Sequence, residues 1–476
     1  MEYLETINNW LDEHREELKN DLITLAAVPS VRSAPAPHAP FGEKCAEVLV
    51  TASQLFERDG YRCEMYADDG YLLAFKGDDD RKTIGVFGHA DVVPPDGEWL
   101  LAPPFPPTEM NGYLIGRGVD DNKAGVTASM YAARALAECG IPLKSRLMFF
   151  IGTNEESGMA DVSAFVRDRK HPTVSITPDS GFPVSVGEKG ILRFMVKSDK
   201  AFKDILYMGG GNAYNIVLCE CRVELKYSDA LDAELRKLCG DDTRISIARD
   251  GDRIIMNATG ISKHASSPDG SLNAASLAAS YLSKCESICS GDREIMSFME
   301  HVLSCNYAAG LGLEDVDPNF GRTTFVNGIV DCEDGRIVLG FDVRYGTAFD
   351  SKRTEQDVIG YFTSRGWTIA RGELNNRPGY MKAEDDIYVK ELLRVYREFT
   401  GNSEAKTFLM SGGTYSRMVP NAYSVGGQCG GGPGLGLPAG HGGCHQPDES
   451  VFIDGVVKAA KIHAQMLIAL DRLINN

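Results

Sequence analysis

The run Leu147-Met148-Phe149-Phe150-Ile151 places five bulky apolar side chains in succession. Successive side chains on a strand point to opposite faces, so a strand built from this run has no face left for water. Such strands belong in sheets covered on both sides, which are usually parallel and layered with helices. Further strand-like runs at 62–67, 71–77, 83–89, 113–116 and 173–178 alternate with helical patterns at 43–59, 123–139 and 161–169. An amphipathic segment over 2–27, with Ile7, Trp10, Leu11, Leu18, Leu22 and Leu25 on one face, precedes them. The pattern predicts an α/β fold, a mostly parallel sheet sandwiched by helices.

The patterning changes after about Gly187. Strand-like segments near Phe194, Ile254, Ile337 and Thr368 alternate more regularly, and helical patterns at 271–289 and 293–305 interrupt them. This predicts an inserted, antiparallel α+β lid domain made of two ferredoxin-like halves. Helical patterns return at 385–400 and 450–476. The expected organisation is one catalytic domain from 1–187 and 385–476, with the lid at 188–384. A length of 476 residues suits two cores better than one.

Sixty-seven acidic against 49 basic residues leave a net charge of -18, which argues against nucleic acid or an anionic membrane surface as partner. No window approaches the ~20 apolar residues of a membrane span. The segment beginning Met1-Glu2-Tyr3 lacks the basic and apolar regions of a secretory signal. Twelve cysteines show no regular framework and read as reduced thiols. The expected location is the cytoplasm.

Acidic and histidine residues gather where strand-like runs end. His89 and Asp91 follow one run, two residues apart and so directed to one side. His89 reads as a metal ligand and Asp91 as the carboxylate that orients its ring. Asp120-Asp121-Asn122-Lys123 opens a helix; Asp121 is the candidate to bridge two cations, the alternative being an acidic helix cap. Glu155-Glu156 follows the most apolar run, where one acid can bind metal while its neighbour moves a proton. Asp179 ends the run 173–178. His445 lies in a Gly-rich loop, with His441 as a competitor. These donors suit two Zn²⁺ ions, with Mn²⁺ or Co²⁺ as alternatives, better than calcium or magnesium.

Together, Gly88-His89-Ala90-Asp91-Val92-Val93-Pro94, Gly116-Arg117-Gly118-Val119-Asp120-Asp121-Asn122-Lys123, Asn154-Glu155-Glu156-Ser157-Gly158 and His445 resemble the co-catalytic zinc peptidases of the aminoacylase, glutamate carboxypeptidase and succinyl-diaminopimelate desuccinylase family. Gly412-Gly413-Thr414-Tyr415-Ser416-Arg417 and the large insertion look closest to bacterial PepV-type dipeptidases. The resemblance implies that His89 and Asp179 hold one zinc, Glu156 and His445 the other, and Asp121 both. It implies Glu155 as general base, Asp91 as support for His89, and His264 as stabiliser of the oxyanion. It nominates Asn215, Arg344, Gly412 and Gly413 for substrate binding, with Arg344–Asp342 pairing as the structural alternative. Two positions depart from the family pattern: Ala124 stands before Gly125, and Asn122 replaces a more usual second aspartate, after a bond that is often cis.

The implied activity is hydrolysis of dipeptides with a free amino terminus, in a monomer or alternatively a homodimer. An N-acyl-amino-acid deacylase or carboxypeptidase would use the same site. A silent binding protein is disfavoured by the complete ligand set. A dinucleotide-binding oxidoreductase is disfavoured because Gly434-Leu435-Gly436-Leu437-Pro438-Ala439 lacks a strand-turn-helix setting.

Overall fold

A computed structural model describes residues 3–313, 316–383, 385–438 and 440–476. Glu2 and Glu384, end points of the first predicted helix and the predicted insertion, lie outside the described residues, as does Ala439 of the Gly-rich match. The chain forms two compact units. One comprises Met1–Val186, Lys382–Phe408 and Gly413–Asn476; the other comprises Gly187–Met381 and Leu409–Gly412.

The first unit is built on six strands: β1 (Arg62–Tyr66), β2 (Tyr71–Lys76), β3 (Thr83–His89), β4 (Arg146–Gly152), β5 (Val174–Ser180) and β6 (Ala422–Gly426). Their order is β1-β2-β4-β3-β5-β6. The β4–β3, β3–β5 and β5–β6 pairs are parallel, while β1 and β2 form an antiparallel edge. Alternation along the buried strands divides the core as the sequence requires. Ile84, Val86, Leu147, Phe149, Ile151, Val174 and Ile176 join one apolar cluster; Phe87, Met148 and Phe150 join another on the opposite face.

Helices α1 (Leu4–Glu13), α2 (Arg15–Ala26), α3 (Glu43–Arg58), α4 (Lys123–Glu138), α6 (Ile387–Thr400) and α7 (Ile453–Asn475) contribute to the first cluster; α5 (Ala160–Asp168) contributes Val162, Ala164 and Phe165 to the second. The α4 helix is almost wholly buried and rich in alanine, which allows the 23-residue α7 to lie close against it.

The predicted single helix over 2–27 is two helices broken at His14. Its ring stacks on Trp10 at 3.8 Å and hydrogen-bonds the Trp10 carbonyl. Both pieces keep their apolar faces inward through Ile7, Leu11, Leu18, Leu22 and Leu25. The predicted final helix begins at Ile453, after a short strand Ser450–Phe452.

The second unit contains two four-stranded antiparallel sheets. One runs Ile205–Gly209, Glu220–Lys226, Arg253–Thr259, Ile245–Asp250; the other runs Thr324–Glu333, Arg336–Tyr345, Gly190–Ser198, Trp367–Arg377. Each contains a split β-α-β unit, with Asp229–Cys239 and Ser351–Thr363 as the crossover helices. The ferredoxin-like halves are therefore present, and the second takes its inner strand from the start of the unit. Among the described residues no helix is long and apolar enough to cross a membrane.

His463 provides a test of packing in the first unit. It is buried in α7 between Ser129 and the Gly426 carbonyl, and burial lowers its pKa from 6.5 to about 4. The neutral imidazole is thus favoured on folding: its contribution is complete above pH 6.5 and falls as acidification towards pH 4 protonates the unfolded chain first. Between these limits the stability of the unaltered protein should fall about 1.4 kcal/mol per pH unit more steeply than that of His463→Gln. Urea denaturation across this range measures the two slopes; equal slopes would contradict the assignment.

Candidate metal centre

Parallel register aligns the residues of interest. His89, last in β3, pairs with Gly152, last in β4, and the Ala90 amide donates to the Gly152 carbonyl. The turn bearing Glu155 and Glu156 therefore leaves beside Asp91. On the other side Val86 pairs with Ile176, and continuing this register brings Asp179 level with His89. Asp121 arrives in the turn before α4, whose N-cap is Asn122. His445 arrives in a left-handed turn, φ 65°, before the last short strand.

The side chains converge. His89 Nε2 lies 3.0 Å from Asp121 Oδ1 and 3.6 Å from Asp179 Oδ1. His445 Nε2 lies 3.1 Å from Asp121 Oδ2 and 3.0 Å from Glu156 Oε1. The two imidazoles thus face opposite oxygens of one aspartate. Potential donor atoms of His89, Glu155 and Asp179, and of His89, Asp121 and Glu156, lie within 4.8 Å of one another. His441, the competitor for His445, is engaged elsewhere: its Nδ1 lies 2.7 Å from Asp448, which also accepts the Leu100 and Leu101 amides.

Asp91 holds two things at once. Its carboxylate is 3.5 Å from His89 Nδ1, and its oxygens accept the Glu155 and Glu156 amides at 3.2 Å each. Asn122, the departure from the family pattern, joins two strand exits. Its Oδ1 accepts the His89 amide at 3.3 Å and its Nδ2 donates to the Pro178 carbonyl at 2.5 Å. An ionised aspartate could make the first bond but not the second. The Asp121–Asn122 peptide is cis.

Further residues, to which the sequence reading assigned no role, fix the Asp121 turn. Buried Glu449 accepts the Asp120 and Asp121 amides at 3.0 and 3.1 Å and pairs with buried Arg117 at 2.6 Å. Gly118, φ 79°, lies so close to Val92 that a side chain there would collide with it. Lys123 is fully buried, donating to the Val28 carbonyl and Ser30 hydroxyl; burial lowers its pKa to about 7. Arg117, Gly118 and Lys123 lie within the motif at 116–123, and the signal for a structural role was charge placed within otherwise apolar or glycine-rich sequence.

The electrostatics fit cation binding. Burial opposes charge on His89, His445, Asp121, Glu155 and Asp179. It would lower His89 and His445, but the adjoining carboxylates overcome this and raise both well above the usual range. Burial would raise Asp121, but hydrogen bonds from His445 and His89 lower it. Burial raises Asp179, and raises Glu155 well above the carboxylate range, with the neighbouring acids adding to both shifts. Glu155 Oε1 is buried without a hydrogen-bond partner among the described residues. Two imidazoles and several carboxylates, crowded around a position where one buried oxygen lacks a donor, match the mixed ligand chemistry of a divalent transition metal.

The other nominated residues belong to the inserted unit, except Gly413. Asn215 and His264 are brought together there: the Asn215 carbonyl accepts the Ala265 amide, Ile216 pairs with His264, and His264 Nδ1 meets the Ser266 hydroxyl at 2.7 Å. Buried Arg344 grips Asp342 through Nε and Nη2, and donates through Nη1 to the carbonyl of Ser411, next to Gly412. The Gly413 backbone packs against the Arg417 guanidinium. A third acidic group, Asp204, Cys289 and Asp292, is occupied in clasping backbone: Asp292 accepts the amides of Lys203, Asp204 and Ile205, and Asp204 that of Cys289.

Comparison with known proteins agrees with this geometry. A Bacillus subtilis protein named "Putative dipeptidase YtjP" is 27% identical over 98% of this chain and all of its own length. A Staphylococcus aureus protein also named as a dipeptidase is 25% identical over 87% of this chain and 90% of its own. Two solved structures share the fold. Human carnosine dipeptidase 1 aligns with a TM-score of 0.60 at 15% identity, covering 99% of each chain. Yeast Dug1p, described as a di-peptidase, aligns with a TM-score of 0.58 at 15% identity, covering 98% of each. The profile of peptidase family M20/M25/M40 matches residues 85–469, and the chain is a metallopeptidase belonging to that family.

Proposed function

We propose that this metallopeptidase is a dipeptidase that cleaves the amide bond of dipeptides with a free amino terminus, using two metal ions that share Asp121. The observation that supports this most directly is the placement of His89 and His445 on the two oxygens of Asp121, 3.0 and 3.1 Å away, with Glu155 nearby and one of its oxygens unpaired. The similarity to proteins named as dipeptidases favours that substrate class.

His89 and Asp179 would hold one ion, Glu156 and His445 the other, and Asp121 both. Zinc suits these donors, as do manganese and cobalt. Bound divalent ions supply Lewis acidity and make a water acidic enough to attack near neutral pH. Glu155 takes the proton from the attacking water and delivers it to the departing amine, a role matched by a carboxyl whose burial and acidic neighbours raise its proton affinity. Asp91 keeps the His89 ring in place and holds the amides of the glutamate turn. His264 donates to the oxyanion, a charge that exists only as the tetrahedral centre forms. Asn215, Arg344 and the backbone at Gly412 and Gly413 recognise the substrate ends; the grip of Asp342 presents the Arg344 guanidinium in a fixed orientation. The chain is proposed to work in the cytoplasm as a monomer, with a homodimer as the alternative.

Glu155→Gln should lower kcat by about 10²- to 10⁴-fold while the bound zinc remains at two per chain by elemental analysis. Loss of metal in parallel would make Glu155 a ligand instead. Glu449→Ala should weaken metal binding or activity about 10- to 100-fold by freeing the Asp121 turn; titration of the metal-free protein with zinc checks this. Chelation should abolish hydrolysis and zinc should restore it. In a parallel assay dipeptides should be cleaved in preference to tripeptides and N-acetyl amino acids. Faster cleavage of N-acetyl amino acids would identify a deacylase.

A further inference from the structure

The turn that carries Glu155 and Glu156 exposes three consecutive backbone N–H groups, and each meets a buried carboxylate. Glu155 and Glu156 donate to Asp91, as described above. The Asn154 amide donates to a different acid, Asp161 Oδ2, at 2.8 Å. Asp161 lies in the first turn of α5 and is fully buried; its other oxygen accepts the Val162 amide. Its strongest side-chain partner comes from far along the chain: the Tyr415 hydroxyl donates to Asp161 Oδ2 at 2.5 Å.

Tyr415 is fully buried, and its ring packs edge-on against His89 and Phe150, with centroids 6.3 and 5.3 Å away. The pair also lies against the end of β4, where a side chain at Gly152 would collide with both the hydroxyl and the carboxylate. Asn154 closes the remainder of the turn. Its carbonyl accepts the Met159 amide, its Oδ1 the Ala160 amide, and its Nδ2 donates to the Ser157 hydroxyl. The backbone position of Glu155 is therefore set on one side by Asp91 and on the other by Asp161.

We propose that Asp161 and Tyr415 are positioning residues for Glu155. The Tyr415 hydroxyl orients the Asp161 carboxylate, which fixes the Asn154 amide and hence the place from which the Glu155 carboxyl reaches its proton. The inference rests on Glu155 being the general base. Neither residue touches substrate; both act through the turn.

The test uses the full-length, zinc-loaded protein with a dipeptide substrate. Tyr415→Phe, which removes only the hydroxyl, should lower kcat about 10- to 100-fold. KM, zinc content and melting temperature should stay close to those of the unaltered protein. Amide hydrogen exchange at residues 154–156 should quicken in the metal-free variant. Asp161→Asn, which keeps size and an accepting oxygen, should retain more activity than Asp161→Ala and provides the same comparison if Tyr415→Phe folds poorly. In a Glu155→Gln background, Tyr415→Phe should change the residual rate by no more than about twofold, because a residue acting through Glu155 has nothing left to position. An equal loss in both backgrounds, or a loss accompanied by zinc release, would overturn the proposal in favour of a general structural role. Full turnover in Glu155→Gln would overturn the base assignment and this inference with it. A dead Glu155→Gln beside an unimpaired Tyr415→Phe would overturn the inference alone.

Discussion

The structure of the first unit depends on crowding carboxylates at one end of a buried sheet. Asp91, Asp121, Glu155, Glu156 and Asp179 meet around two imidazoles, with Asp161 and Glu449 just behind them. Removing an ion from water costs several kcal/mol even after relaxation, so each charge needs compensation. Much of it comes from backbone amides. Asp91 and Glu449 each accept two from the metal-site turns, and Asp161 accepts one of the same kind. Arg117 adds a full positive charge to Glu449. Among the described residues one Glu155 oxygen and Arg117 Nε are left buried without a hydrogen-bond partner, and the former is the free lone pair that the proposed proton transfer would use.

Register turns this electrostatic problem into a geometry. Three parallel strands, β4, β3 and β5, end together, so residues separated by about sixty and ninety positions in sequence emerge side by side. The close approach of α4 to β3 depends on the absence of a side chain at Gly88, which would meet Val126 and Asn122. Asn122 then ties the β3 exit to the β5 exit through its two ends. His89 and Asp179 emerge on one side because their strands are hydrogen-bonded to one amide side chain as well as to each other.

Much of this was legible in the sequence. Uniformly apolar runs located β3 and β4 with their ends at His89 and Gly152, because a strand with two buried faces has little compositional freedom. The candidacy of His89, Asp121, Glu156 and Asp179 followed from acids and histidines placed where such runs stop, whereas His445, in a Gly-rich loop, was marked out by the family resemblance. Residue type and spacing alone left His441 as a competitor of His445, because the difference lies in the left-handed turn and in Asp448, which draws His441 away. The break at His14 was hidden because the apolar periodicity continues across it. Two helices of the inserted unit, Asp229–Cys239 and Ser351–Thr363, escaped notice because each is rich in polar and charged residues and buries only a few apolar ones. The internal repeat of that unit was faint because one sheet borrows Gly190–Ser198 from more than a hundred residues before its partners.

The supporting acids had the weakest sequence signal, and their mode of action explains why. Glu449 and Asp161 grip backbone N–H groups, so the residues they hold are not constrained in side-chain type by that contact. A sequence pattern records side chains; it records such a grip only through the glycines and asparagines that allow close approach, here Gly118, Gly152, Asn122 and Asn154. Fixing the backbone also leaves Asp121, Glu155 and Glu156 free to commit their side chains to the centre. A site built this way keeps its converging side chains aligned through the fold itself, and the residues that hold the backbone lie one hydrogen bond behind them.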